Sequence, residues 1–244
     1  MSTFVHLMPQ SLEADTAETV TVKAQPQEAL SAKAADWDLH SFAEEQIRGL
    51  VRQVYLAGSK PSRQVVFSAV DRETDVSELC HRVAEALSEE GSGTTCLLDA
   101  NLQNRSTAIP ENGRLGISSD QKRFGRLRDS SLQLSSKLWY MPTEVFLGEP
   151  GNGLSAAWLR SRLAELRLEF DYVVIQAPAA AAANQAALLA RLCDGMVLII
   201  EANSTRRVSA QRVKEMLGAA QVHLLGTVLS ERTFPIPQAI YKRV

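Results

Sequence analysis

The residues from Val65 to Leu87, VVFSAVDRETDVSELCHRVAEAL, set a continuous apolar run before a short polar loop and an amphipathic stretch. A strand, a tight loop and a helix in that order can bind phosphate, because the helix N-terminus aims unpaired backbone N–H groups at an anion. Such a cradle needs glycines, whose backbone reaches positive φ and lets the N–H groups converge, and a lysine to pair with the phosphate charge. Here the loop reads Asp71-Arg72-Glu73-Thr74-Asp75, with neither. An aspartate in place of a lysine turns attraction into repulsion, about 4 kcal/mol for one unit pair at 4 Å and an effective dielectric of 20.

No other reactive constellation stands out. His6, His40, His81 and His223 are scattered without metal-ligand spacing. Cys80, Cys96 and Cys193 are an odd count that fits neither a zinc site nor a disulfide framework, so a reducing cytoplasm is expected. Cys80 and His81 are neighbours on a helix and do not face each other, and there is no Gly-x-Ser-x-Gly elbow.

These residues sit in a chain of 244, 45% hydrophobic and 22% charged, which suits one soluble globular domain. A net charge of -2 gives no overall pull toward nucleic acid or anionic membrane. The start, MSTFVHLMPQSLEAD, lacks the charged and apolar regions of a signal peptide, and the longest apolar run, GMVLII, is too short to span a bilayer. Residues 1–36 read as a flexible, weakly acidic tail and 37–244 as the folded domain.

A helix is expected from Ser41, where Ser-x-x-Glu forms a capping box and Phe42, Ile47, Leu50, Val51 and Val54 recur at helical spacing, with Gly58 and Pro61 ending it. Strands are expected at 64–69, 94–100, 138–141, 171–177, 195–200 and 222–230. Between them, helices are expected from Val76 to Leu87 and over 155–169, 184–192 and 205–217. Apolar strands alternating with helices predict an α/β three-layer sandwich around a mostly parallel sheet. The basic stretch from Arg105 to Arg128 reads as a solvated loop, against contact with lipid or a phosphorylated partner; it lacks the aromatic residues of a single-strand nucleic-acid site.

Four blocks resemble the MinD/ParA-type P-loop NTPases, and within them the cytoplasmic domain of polysaccharide-type bacterial tyrosine kinases. They are EEQIRGLVRQ, VVFSAV, CLLDANLQ, and FDYVVIQAPAA with CDGMVLIIEANSTRR. The resemblance spans about Glu44 to Arg243 and implies a P-loop NTPase-like fold. It places Arg72 and Thr74 where the family has glycines, Asp75 where it has the phosphate-binding lysine, and Val76 where it has the Mg²⁺-binding hydroxyl. Asp99 keeps the first aspartate of the second strand, whereas Asn101 replaces the second; Gln176 replaces the Walker-B aspartate and Ser230 the base-reading asparagine. The family's tyrosine-rich tail is reduced to Tyr241.

Phosphoryl transfer works by positioning and charge stabilisation, and these replacements remove both. The resemblance therefore implies a non-catalytic pseudo-NTPase or pseudokinase in exopolysaccharide synthesis or export, without catalytic residues, nucleotide or metal. Its expected partners are cytoplasmic segments of a membrane polysaccharide chain-length regulator, or a second copy. Direct membrane insertion and nucleic acid are not expected. The location would be cytoplasmic, with recruitment to the inner membrane by a partner. Glu45, Arg48 and Arg52 are the candidate interface, on the helix that joins subunits in relatives, with Ile47, Val51 or Tyr55 as apolar anchors. The alternatives are an atypical ATP- and Mg-dependent tyrosine kinase or ATPase, and a MinD/ParA-like positioning adaptor.

Overall fold

Every residue of β1, Gln64–Ala69, is buried, and its side chains alternate between the two faces of a sheet. Val65, Phe67 and Ala69 enter one core, Val66 the other. This is a computed structural model, and it describes residues 39–57, 61–101, 126–147, 155–182 and 184–231. The N-terminal tail, most of the basic stretch, the GEPGNG loop and Tyr241 lie outside the described residues.

After β1 come α2 (Ser77–Glu90), β2 (Thr95–Asp99), β3 (Leu132–Gln133), β4 (Leu138–Met141) and α3 (Thr143–Leu147). Then follow α4 (Ala156–Glu169), β5 (Tyr172–Gln176), α5 (Asn184–Leu192), β6 (Gly195–Glu201), α6 (Arg207–Ala219) and β7 (Leu224–Ser230). The helix that precedes them, α1, spans Leu39–Val51 and continues as a π-helical turn over Arg52–Leu56. The seven strands order as β3-β4-β2-β5-β1-β6-β7, parallel except for the antiparallel β3. The expected three-layer α/β sandwich is therefore present. Helices α1 and α2 cover one face; α4, α5 and α6 contribute Leu163, Leu189 and Val213 to the core on the other.

Two elements differ from expectation. Strand β4 lies at the expected 138–141; β3, which pairs with it in a short hairpin, is not among the expected elements, nor is α3, which follows Pro142, whose carbonyl accepts from the N–H groups of Val145 and Phe146. Both are too short to carry a hydrophobic period. Helix α4 begins where expected, with Ser155 Oγ accepting from the N–H of Trp158 at 3.1 Å.

Burial disables the thiols. It raises the pKa of Cys80 and Cys96 far above the ordinary range and pushes Cys193 up to about 12. Because the thiolate is the reactive form, a disulfide reagent at pH 8 is expected to label the native chain slowly and all three thiols only after denaturation, as followed by absorbance. Rapid labelling of one thiol in the native chain would show a site more open than this one.

Candidate functional site

Open α/β sheets place ligands beyond the carboxyl ends of their strands, where neighbouring strands connect in opposite directions. That point here is β1. It leads through α2 to β2 on one side, while β5 leads through α5 to β6 on the other. Register sets Gln176 beside Phe67 and Asp99, and Ser230 beside Glu201. The implied positions therefore converge into two groups around the loop 71–76.

The first group closes the inside of the loop. Thr74 is 9% exposed, and its Oγ1 donates to Glu201 Oε2 at 2.8 Å. A carboxylate thus stands at the end of the strand next to β1, held by a side chain where the family's loop has a glycine. Ser230 lies across from Glu201, its Oγ directed at the Ile200 carbonyl. Asp75 is exposed and its Oδ1 accepts from the N–H of Ser77 at 2.8 Å, at the first residue of α2. The positive end of a helix dipole favours an anion; in this chain the anion is the chain's own aspartate. Arg72 and Glu73 are exposed on the turn before it.

The second group lies between α2 and the ends of β5 and β2. Gln176 Nε2 donates to Ser77 Oγ at 2.8 Å. Asp99 is half-buried; burial holds its carboxyl above the usual range, against the Asn101 N–H that it accepts at 2.9 Å. Its backbone carbonyl accepts from Thr143 Oγ1 at 2.7 Å. Asp99 thus ends a strand and caps the loop that begins at Asn101. Val76 points into the core, 6% exposed, and offers no ligand atom. The hydroxyl in this region belongs to Ser77, one position on, which the sequence reading passed over. Glu201 was missed too. Its signal was weak: a carboxylate closing an apolar strand, with a partner 127 positions away.

A Mg·nucleotide does not fit these residues. The triphosphate would meet Asp75 at the helix end and Glu201 behind Thr74, with a neutral amide at Gln176 and no lysine in the loop. Among the described residues no group of three His, Cys, Asp or Glu side chains could hold a metal ion.

The anchors expected on α1 require a correction. Ile47, Val51 and Tyr55 are 2%, 0% and 0% exposed, because this face packs into the chain's own core with Leu50 and Val54. Tyr55 also donates to the Val173 carbonyl at 3.3 Å and meets Tyr172 edge-on. On the outer face, Arg52 grips Glu90 of α2 through two bonds of 2.8 and 2.9 Å, and Arg48 reaches Glu89 and Glu90 at 3.7 and 4.0 Å. The arginines therefore fasten α1 to α2, while Glu45 stays exposed.

No family model matches the chain. It is 30% identical over 81 residues to the tyrosine-protein kinase YwqD of Bacillus subtilis, a match covering 33% of this chain and 34% of that protein. The chain thus spans about a third of that relative's length. Among solved structures, the BceF tyrosine kinase domain superposes with a TM-score of 0.59 at 22% identity, covering 77% of this chain and 76% of that one. MinD of Aquifex aeolicus, in complex with MinC, superposes with a TM-score of 0.51 at 14% identity, over 75% and 72% of the two chains. The chain thus has the MinD/ParA-type P-loop NTPase fold, without that loop's glycines and lysine, and is similar to the bacterial tyrosine-protein kinases.

Proposed function

We propose that this chain is a non-catalytic pseudo-NTPase that works by binding, as a cytoplasmic partner or regulator in exopolysaccharide synthesis or export. It would be recruited to the inner membrane by cytoplasmic segments of a chain-length regulator. Among the described residues no helix is long and apolar enough to cross a membrane. The observation that carries the reading is Asp75 on the Ser77 N–H: the first N–H of the helix that would receive a phosphate is taken by a carboxylate of the loop itself. The tyrosine-protein kinase relatives supply the setting. The reading puts the contact surface around the loop 71–77; the burial of the apolar face of α1 in the chain's own core supports that choice over α1.

The test is calorimetric titration with ATP and ADP, each with Mg²⁺. No measurable binding is expected at millimolar nucleotide. A Kd below about 100 μM, roughly -5.5 kcal/mol, would overturn the reading. It would favour the atypical tyrosine kinase or ATPase, for which the meeting of Ser77 and Asp99 at Gln176 is the supporting observation.

A further inference from the structure

Beside α2, where β2, β4 and β3 run past its cover, lies a cleft of about 600 Å³. That volume is within the range of sites that enclose a side chain cluster or small ligand. Its apolar wall comes from Leu97, Leu132, Leu134 and Tyr140. Leu134 is 41% exposed, one of few large apolar residues so open among the described residues. The facing wall is polar, with the carboxylates of Glu78, Glu85 and Asp99 set against Arg82 and His81, and the neutral Ser77 and Gln176 beside them. Arg82 is bound to Glu78, and His81 lies 3.2 Å from Glu85, neutralising it only when protonated. Asp99 has no cation within ion-pair reach among the described residues; its carboxylate accepts from the Asn101 N–H and is also steadied by the Thr143 hydroxyl, both neutral donors.

We infer that this cleft binds an apolar segment of a partner protein that carries lysine or arginine, the aliphatic groups on Leu132, Leu134 and Tyr140 and the cation at Asp99 and Glu85. Charge complementarity selects that occupant. The apolar wall provides area, and the carboxylates reject an acidic segment by like-charge repulsion and desolvation. An aliphatic residue flanked by a base satisfies both walls, because lysine and arginine lay their stems on apolar surface and keep their charge at its rim. The inference rests on the reading of the chain as a binding protein and names the chemistry of its partner.

The experiment uses the full chain and two fluorescein-labelled hexapeptides, Leu-Arg-Leu-Leu-Lys-Leu and its charge-swapped twin with glutamates, followed by anisotropy. The basic peptide is expected to bind at least tenfold tighter. Leu134→Glu should weaken it more than tenfold and Asp99→Asn several-fold, while Val208→Glu, at a separate exposed apolar position on α6, leaves it unchanged. Both substituted wall positions are at least partly exposed, so circular dichroism should match the wild type. Equal binding of the two peptides, or indifference to Leu134→Glu, would overturn the cleft. So would dimerisation of the unliganded chain that Leu134→Glu abolishes, which would give the wall to a second copy. Binding of Mg·ATP by the same samples would instead overturn the reading of the loop and leave the cleft standing.

Discussion

A chain that begins at residue 61, lacking α1 and its π-helical turn, is expected to show no cooperative thermal transition. The side chains of Ile47, Leu50, Val51, Val54 and Tyr55 are each at most 6% exposed, and they fill the core between α2 and the sheet. Burying an aliphatic or aromatic side chain contributes about 1.5–3 kcal/mol, so the five together reach on the order of 10 kcal/mol. The whole stability of a domain is about 5–15 kcal/mol. Removing α1 also uncovers Val83 and Leu87 of α2 and Val65 and Phe67 of β1, all fully buried in the complete chain. Differential scanning calorimetry of the two chains decides it. A truncated chain that melts cooperatively within a few degrees of the full one would show that α1 is an accessory to the domain, free to serve another protein.

The misreading of α1 is instructive. Its period was plain in the sequence, and the helix lies where the period put it. What the period cannot say is whose core the apolar stripe enters, because the same spacing serves a partner groove or the chain's own sheet. Strands β1, β5 and β6 were legible for a related reason. A strand covered on both faces reads as an uninterrupted apolar run, and QVVFSA, YVVIQ and GMVLIIE do so almost throughout. The loop 71–76 was legible as chemistry, since the residue types alone exclude a glycine cradle. Its closure by Thr74 and Glu201 was not, because that bond joins positions 127 apart.

Asp194→Ala is expected to lower the melting temperature by about 5–10 °C. Asp194 opens the Asp-Gly pair of the resembling stretch CDGMVLIIEANSTRR, yet it lies at the amino end of the sheet, away from the site. Its carboxylate accepts from the backbone N–H groups of Arg63 and Gln64 at 2.7 and 2.8 Å and pairs with Arg167. Arg167 donates to Gln64 Oε1 at 2.9 Å, and Gln64, fully buried, donates to the Leu163 carbonyl at 2.8 Å. The network joins β1, α4 and the turn before β6. Gly195 is needed at that turn, since a Cβ there would lie 2.6 Å from Leu225 and 2.7 Å from the His223 carbonyl.

Truncating Asp194 strands two backbone donors and a guanidinium. Because Arg167 and Asp194 are 38% and 28% exposed, water relieves part of the loss, and about 2–3 kcal/mol is expected. At roughly 2–4 °C per kcal/mol for a domain of this size, the shift follows. Burial pushes the Asp194 carboxyl up, but the two N–H groups and Arg167 outweigh it and leave it below the usual value. A carboxyl depressed in the folded state stabilises above its unfolded value, and that contribution is lost as pH falls through the folded one. The gap between wild type and Asp194→Ala should therefore be full at pH 7 and narrow below the ordinary aspartate value. A gap that stays constant to pH 2 would mean that the loss is one of packing rather than charge.

The position of β1 bears on how the chain is made. This strand is synthesised before both of its neighbours, yet it ends in the interior of the sheet. Its two neighbours arrive late: β1 meets the residues before β6 across 130 positions, and β5 is little closer. At roughly 5–20 residues per second, about 7–26 s pass before both edges can pair. Through that interval a six-residue apolar strand stands with two open edges, the kind of segment that joins the wrong strand on a neighbouring nascent chain. Helices α1 and α2 flank it in sequence and are complete first, so they can shield one of its faces during synthesis, leaving the edges to chaperones.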